Sequence, residues 1–208
     1  MRRIAALLLV LCLALGAVRA AAEGELPADI RGTVSDGVYT NERLGFGFRA
    51  EGWVFLTQED MDENLERNSR AMGRDFRETS VNVSTVVLSA NLPGYRDCIS
   101  VMAFDLGEDA PFYEALGEEG IMEATRDAYR ENLEAGYTLR SFGVEDISVN
   151  GYELPCILAE VSDSNPWYMM QFALVRTCFV SENWLVVMEA AADTPEAALE
   201  ALRHIFWL

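Results

Sequence analysis

The sequence contains no lysine: all 16 of its basic residues are arginine, against 34 acidic side chains and one histidine, His204. Each shortage removes a class of chemistry. Without lysine there is no Schiff-base enzyme, no lysine-type phosphate loop and no kinase lysine. With one histidine there is no multi-histidine zinc site. No metal, cofactor-binding or catalytic residue set is therefore expected. The formal charge of −18 disfavours nucleic acid and anionic membrane surfaces as partners, because both repel it. Cations and basic proteins remain open, and so does the plainer role of solubility. What is present is a globular composition, half hydrophobic and a quarter charged, in 208 residues that suit one domain.

Residues 1–22 read as a secretory signal peptide. Arg2 and Arg3 precede an apolar run over 4–18, and Ala20-Ala21-Ala22 supplies the small residues of a cleavage site. Val18 and Ala20 offer a second site. The run is shorter than the ~20 residues that span a bilayer, and no later segment is long and apolar enough to do so. Cys12 follows Leu11 in the middle of the run, which does not suit a lipoprotein anchor. Cleavage after Ala22 removes Arg2, Arg3 and Arg19 and no acid, which takes the charge from −18 to −21. The expected location is outside the cytoplasm, secreted or in the cell envelope.

Past residue 22, residues 23–36 read as a flexible lead-in and 37–208 as a single domain. A hairpin is expected around Asn41-Glu42-Arg43, then a helix from Thr57 with Met61, Leu65 and Met72 near one face. Strands follow over 81–88 and 98–104. A helix spans 118–135, with Ile121, Ala124 and Ala128 in one apolar row flanked by Tyr129 and Leu133, and Gly136 as a left-handed cap. Strands over 144–149 and 152–161 flank Asn150-Gly151, the strongest short hairpin signal in the chain. A loop over 162–166 leads to a strand over 167–179, and another strand covers 184–191. The last helix starts at Thr194-Pro195 and carries Leu199, Leu202, Ile205 and Phe206 on its apolar face. The late strands are apolar on both alternating sets, so both sheet faces are covered. The fold class is α+β: an antiparallel sheet with helices on both faces.

Gly37-Val38-Tyr39-Thr40-Asn41-Glu42, then Leu44-Gly45-Phe46-Gly47-Phe48, then Glu51-Gly52-Trp53, resembles the opening of PsbP-like (PsbP/Mog-type) proteins. Ala50-Glu51 stands where many of them have Pro before Gly-Trp. The order of elements that follows is also similar, so the resemblance covers most of 36–208. It is nearest to secreted forms from Gram-positive bacteria. Other antiparallel α+β folds fit the same pattern. The resemblance implies an α/β/α sandwich used as a binding or assembly module, and it brings no shared catalytic residue.

Several constellations carry groups capable of chemistry. Asp60, Asp62 and Asn64 match the start of a calcium loop, but Leu65 and Ala71 occupy its required Gly and Glu positions. An acidic first helical turn explains them better. His204 falls in the last turn of the last helix, where it faces the negative end of the dipole. Glu153, Glu160 and Glu189 fall on strands, where apolar neighbours can raise a carboxyl pKa. Trp167 and Tyr168 enter a strand, and Asn82-Val83-Ser84 is a chance glycosylation pattern. The three cysteines past residue 22 (Cys98, Cys156 and Cys178) are expected on strands as buried thiols without a disulfide. A loop over 162–166 sets Cys156 opposite Phe172, ~20 Å from Cys178.

The function expected is a secreted, non-enzymatic binding or assembly domain for an unknown protein or small ligand. The alternative is a carboxylate-dependent extracellular hydrolase. The address is directly testable: intact mass and N-terminal sequencing of exported protein should give a start at Glu23 or Ala21. A full-length chain in the cytosol would refute it.

Overall fold

The computed structural model describes residues 28–57, 59–61, 63, 84–163 and 171–208. A 3-10 turn, Ala28–Arg31, precedes β1 (Thr33–Ser35), β2 (Val38–Asn41), β3 (Phe46–Arg49) and β4 (Val54–Phe55). β5 (Ser84–Asn91) and β6 (Cys98–Asp105) lead to α1 (Ala110–Gly136). Then come β7 (Tyr137–Val149), β8 (Tyr152–Asp163), β9 (Gln171–Ser181), β10 (Trp184–Ala192), α2 (Pro195–Arg203) and β11 (Ile205–Trp207).

These strands form two antiparallel sheets. The larger has the order β4-β5-β6-β10-β9-β8-β7, and the smaller β1-β2-β3-β11. β10 is buried at every position, because its two faces serve two cores. Val186, Met188 and Ala190 join Ile99, Val101 and Ala103 on the side that meets the small sheet and α2. Leu185, Val187 and Ala191 join Cys98, Met102 and Phe104 on the side that meets α1. The fold is α+β, but not the expected single sheet between helical layers. Opposite α1, the cover is the four-stranded sheet plus a nine-residue helix.

The differences from expectation have local causes. Part of the lead-in is ordered, since Ile30 is fully buried and its carbonyl accepts from Asn41 Nδ2 at 2.8 Å. Ile205 and Phe206 leave the helix and pair as a strand with Phe48 and Gly47. Their apolar spacing suits either element, and only the free edge of β3 decides. α1 begins earlier than expected, bending at Gly117 (φ 68°), and runs into β7 with Gly136 still helical. Ala124 and Ala128 are exposed, and the buried row is Ile121, Met122, Tyr129 and Leu133. Large side chains outweigh alanines in choosing the buried face, because burial free energy scales with apolar area. β7 starts seven residues before the expected strand, at Tyr137.

The turns obey their chemistry. Asn150 (φ 48°) and Gly151 (φ 89°) both have positive φ, as a type I′ hairpin requires. Asn150 Nδ2 also donates to the carbonyl oxygens of Arg203 and Ile205, tying the hairpin tip to the end of α2.

All three cysteines are buried and unpaired, but not for the reason given by hairpin arithmetic. β8 extends to Asp163 and β9 begins at Gln171, so Cys156 faces Thr177 and not Phe172. Cys178 is therefore close in register. The pleat separates the two thiols, because Cys156 faces the small-sheet core and Cys178 the α1 core. Cys98 faces Ala191 and Cys178 faces Val187, four residues apart on opposite sides of β10. That is too far for a bridge. Burial pushes each thiol up to about 12. A thiol reagent should leave the native protein unlabelled. In denaturant without reductant it should count three thiols on a chain starting at Glu23; a count of one would reveal a bridge.

Candidate functional site

The opening motif is used up in packing. Tyr39, Phe46 and Phe48 are core residues. Asn41, fully buried, donates to the Tyr39 hydroxyl oxygen at 2.9 Å and accepts from Leu44 N at 3.0 Å. Phe48 packs edge-on against Trp53 and Phe55. Gly47 is required because the Phe206 ring of β11 lies over it; a Cβ there would sit 2.2 Å from the ring. Phe46-Gly47-Phe48 is thus a strand that buries two rings on one face and makes room for a third on the other.

The buried polar chemistry lies elsewhere, on the sheet face beneath α1. Arg176 of β9 is directly opposite Glu189 of β10. Both are almost fully buried, at 2% and 3% exposure. The Tyr129 hydroxyl of α1 donates to Glu189 Oε2 at 2.6 Å. The Arg176 guanidinium stacks over the Tyr129 ring, 4.6 Å from its centroid. Arg176 Nη1 is 3.9 Å from Glu189 Oε2, an electrostatic contact rather than a hydrogen bond. Burial raises the Glu189 carboxyl above its ordinary value, and Arg176 and the Tyr129 hydroxyl partly oppose that. Burial and the Glu189 charge together hold Tyr129 protonated. The cluster can hold a proton on Glu189, but Tyr129 seals it from solvent.

Of the other acids, Glu160 is exposed and accepts from Ser141 Oγ at 2.8 Å. Its side chain is on the opposite sheet face from Glu189, since its neighbours Ala159 and Val161 belong to the α1 core. Glu153, also exposed, is four residues along β8 from Ile157, which faces Arg176. That offset is ~13 Å along the strand alone. The three acids are not brought together. Asp60 instead caps its own helical turn, accepting from Thr57 N and Oγ1 at 3.0 and 2.7 Å, which lowers its pKa. Asp62, Asn64, Trp167, Tyr168, Asn82, Leu65 and Met72 lie outside the described residues. His204 is the C-cap residue just past the last turn of α2, and its ring rests against Phe48 and Trp53.

Among the described residues, no group of three or more His, Cys, Asp or Glu is arranged to hold a metal. None of their helices is long and apolar enough to cross a membrane. A shallow depression of about 180 Å³ lies between β7 and α2, lined by Glu145, Asp146, Ser148, Leu199 and Arg203 among others. Its acids face different sides of β7, so it concentrates no single charge.

Sequence reasoning named Glu189 but missed its partners. A signal was present: Arg176 interrupts an apolar run, and a turn at Glu182-Asn183 places it opposite Glu189. Tyr129 flanks the expected apolar row of its helix, but nothing in the sequence ties it to this pair, because only packing chooses which helix covers it.

No family's sequence profile matches the chain, and no curated protein matches it in sequence. Solved structures do resemble it in shape. The solution structure of cyanobacterial PsbP (CyanoP) from Synechocystis sp. PCC 6803 aligns at 10% identity and a TM-score of 0.47, covering 89% of this chain and 100% of that one. A crystal structure from Bacteroides thetaiotaomicron VPI-5482 aligns at 7% identity and a TM-score of 0.39, covering 78% of this chain and 45% of that one. Likeness at these values assigns neither family nor function.

The cluster makes a stability prediction with a definite sign. A carboxyl whose folded pKa is raised stabilises the fold in acid and loses that contribution as pH rises from the unfolded value through the folded one. Arg176→Met removes the opposing charge and raises the Glu189 pKa further. It should cost ~3 kcal/mol or more at neutral pH, and less in acid. Adding Glu189→Gln, which keeps an acceptor for Tyr129, should recover most of the loss. Urea melts of the parent chain and the two variants from pH 4 to 8 measure this; a pH-independent loss in Arg176→Met would contradict the assignment.

Proposed function

We propose that the chain is a binding or assembly domain that acts outside the cytoplasm and performs no chemistry of its own. The observation that carries this reading is the fate of the candidate acids. Glu189, the one with a perturbed carboxyl, is sealed under Tyr129 and committed to Arg176. Glu153 and Glu160 are remote from it and from each other. Hydrolysis of a glycoside by paired carboxylates needs two acids about 5–10 Å apart across a cleft, and these three supply no such pair. The competing reading, an extracellular hydrolase, therefore has no arrangement of theirs to stand on.

The extracytoplasmic part rests on residues 1–22 as a secretory signal, and the assembly part on the PsbP-like opening over 37–53. A bacterial origin belongs to the same reading. The partner is a protein or small ligand met outside the cytoplasm. The net negative charge, −18 over the full sequence and −21 without residues 1–22, favours one carrying basic groups.

The test is capture from cross-linked cell envelope with the chain starting at Glu23 as bait. The expected result is one reproducible partner that rebinds the purified chain to a fixed stoichiometry, more weakly as salt is raised. Reproducible turnover of an extracellular polymer, lost on replacing a single acid, would overturn the reading.

A further inference from the structure

The sheet edges are unequal. β4, at one end of the large sheet, has two residues, and the outer strands of the small sheet have three each. β7, at the other end, has 13 residues, and among the described residues no strand pairs with its outer side. A long free edge offers a row of backbone donors and acceptors to another strand.

Its sequence is self-complementary in one register. In an antiparallel pair, opposed residues share a sheet face. Phe142, Val144 and Asp146 face Ala159, Ile157 and Pro155 across the β7–β8 pair, which puts them on the α1 side. A second β7 continuing the sheet must match these positions to one another. Centring the pair on Glu145 opposes two carboxylates; centring it on Val144 sets Phe142 against Asp146. Centring it on Gly143 sets Phe142 against Val144 twice and Arg140 against Asp146 twice. Val144 is an exposed apolar residue, at 44%. A Cβ at Gly143 would meet nothing within 4 Å, so the axis position is open. Arg140 is the extra residue of a bulge between Leu139 and Ser141, so the regular edge ends at Ser141 and the long Arg140 side chain reaches Asp146 from just outside it.

We propose that two copies of this chain associate through β7, antiparallel, about a two-fold axis at Gly143. The apolar Phe142–Val144 pairs form the centre, and the Arg140–Asp146 pairs close both ends. A ladder over 141–145 with a flanking ion pair at each end is smaller than a standard protein interface, so the dimer dissociates in roughly the micromolar range or above. This goes beyond the assembly reading. A monomer that still captures a different partner would refute the edge pairing and leave that reading standing.

Sedimentation equilibrium from ~1 μM to ~1 mM, at ~0.15 M salt to screen the net charge, should show a reversible dimer. Val144→Asp should weaken it at least about tenfold, and so should Asp146→Arg; Arg140→Asp with Asp146→Arg should restore it. Gly143→Cys should give a disulfide-linked folded dimer under mild oxidation, since opposed Cα atoms about 4.5–5.5 Å apart suit a disulfide. Ser148→Cys, five residues from the axis, should not. Circular dichroism confirms that each variant folds. A monomer at ~1 mM, a dimer indifferent to positions 144 and 146, or a charge swap that fails to restore it would overturn the proposal.

Discussion

β10 is buried along its whole length, and its pleat assigns each residue to one of two cores that do not mix. One side of the strand must satisfy α1, the other the small sheet and α2. Both sides are therefore apolar, and a one-residue slip against β9 or β6 would exchange the two sets. The same pleat keeps Cys156 and Cys178 apart although their strands are neighbours. It also places Glu189 beneath α1 and Glu160 on the other face.

The Arg176–Glu189–Tyr129 cluster is the one costly element inside that frame. Two charges leave water, and their attraction returns only part of the desolvation cost. Its geometry gains something else. Arg176 and Glu189 meet in a single β9–β10 register, and the Tyr129 hydroxyl adds a condition on where α1 lies. A slip of one residue would send Arg176 into the small-sheet core with no acid opposite. The cluster thus penalises wrong pairings more than it rewards the right one, which suits a sheet whose apolar strands offer few other register marks.

The opening motif has a comparable structural meaning. Tyr39, Asn41, Phe46, Gly47 and Phe48 form the small sheet and its seam with β11, and Asn41 ties the 3-10 turn at 28–31 to the loop at Leu44. These residues explain why the small sheet forms. Their side chains are spent on packing, and they place no reactive group at the surface.

Local chemistry made much of the architecture legible in advance. Asn150-Gly151 marked its hairpin because both positions need positive φ, Thr194-Pro195 marked the start of α2, and two-sided apolar strands marked a covered sheet. Each signal depends on neighbours within a few residues. The division into two sheets depends on distant partners instead. Ile205 and Phe206 continue a helical stripe until the edge of β3 takes them as a strand. The β8–β9 register turns on where the strands end, which moved Cys156 from Phe172 to Thr177. Glu189 could be picked out as a strand acid among apolar neighbours, but its sealing by Tyr129 depends on which face of α1 is buried. The sequence by itself determined the α+β class, the turns and the candidate residues, because these follow from nearest-neighbour sterics and periodicity. Tertiary structure alone decided which residues meet, because pairing across a sheet and packing across a layer are set by the sum of many distant contacts.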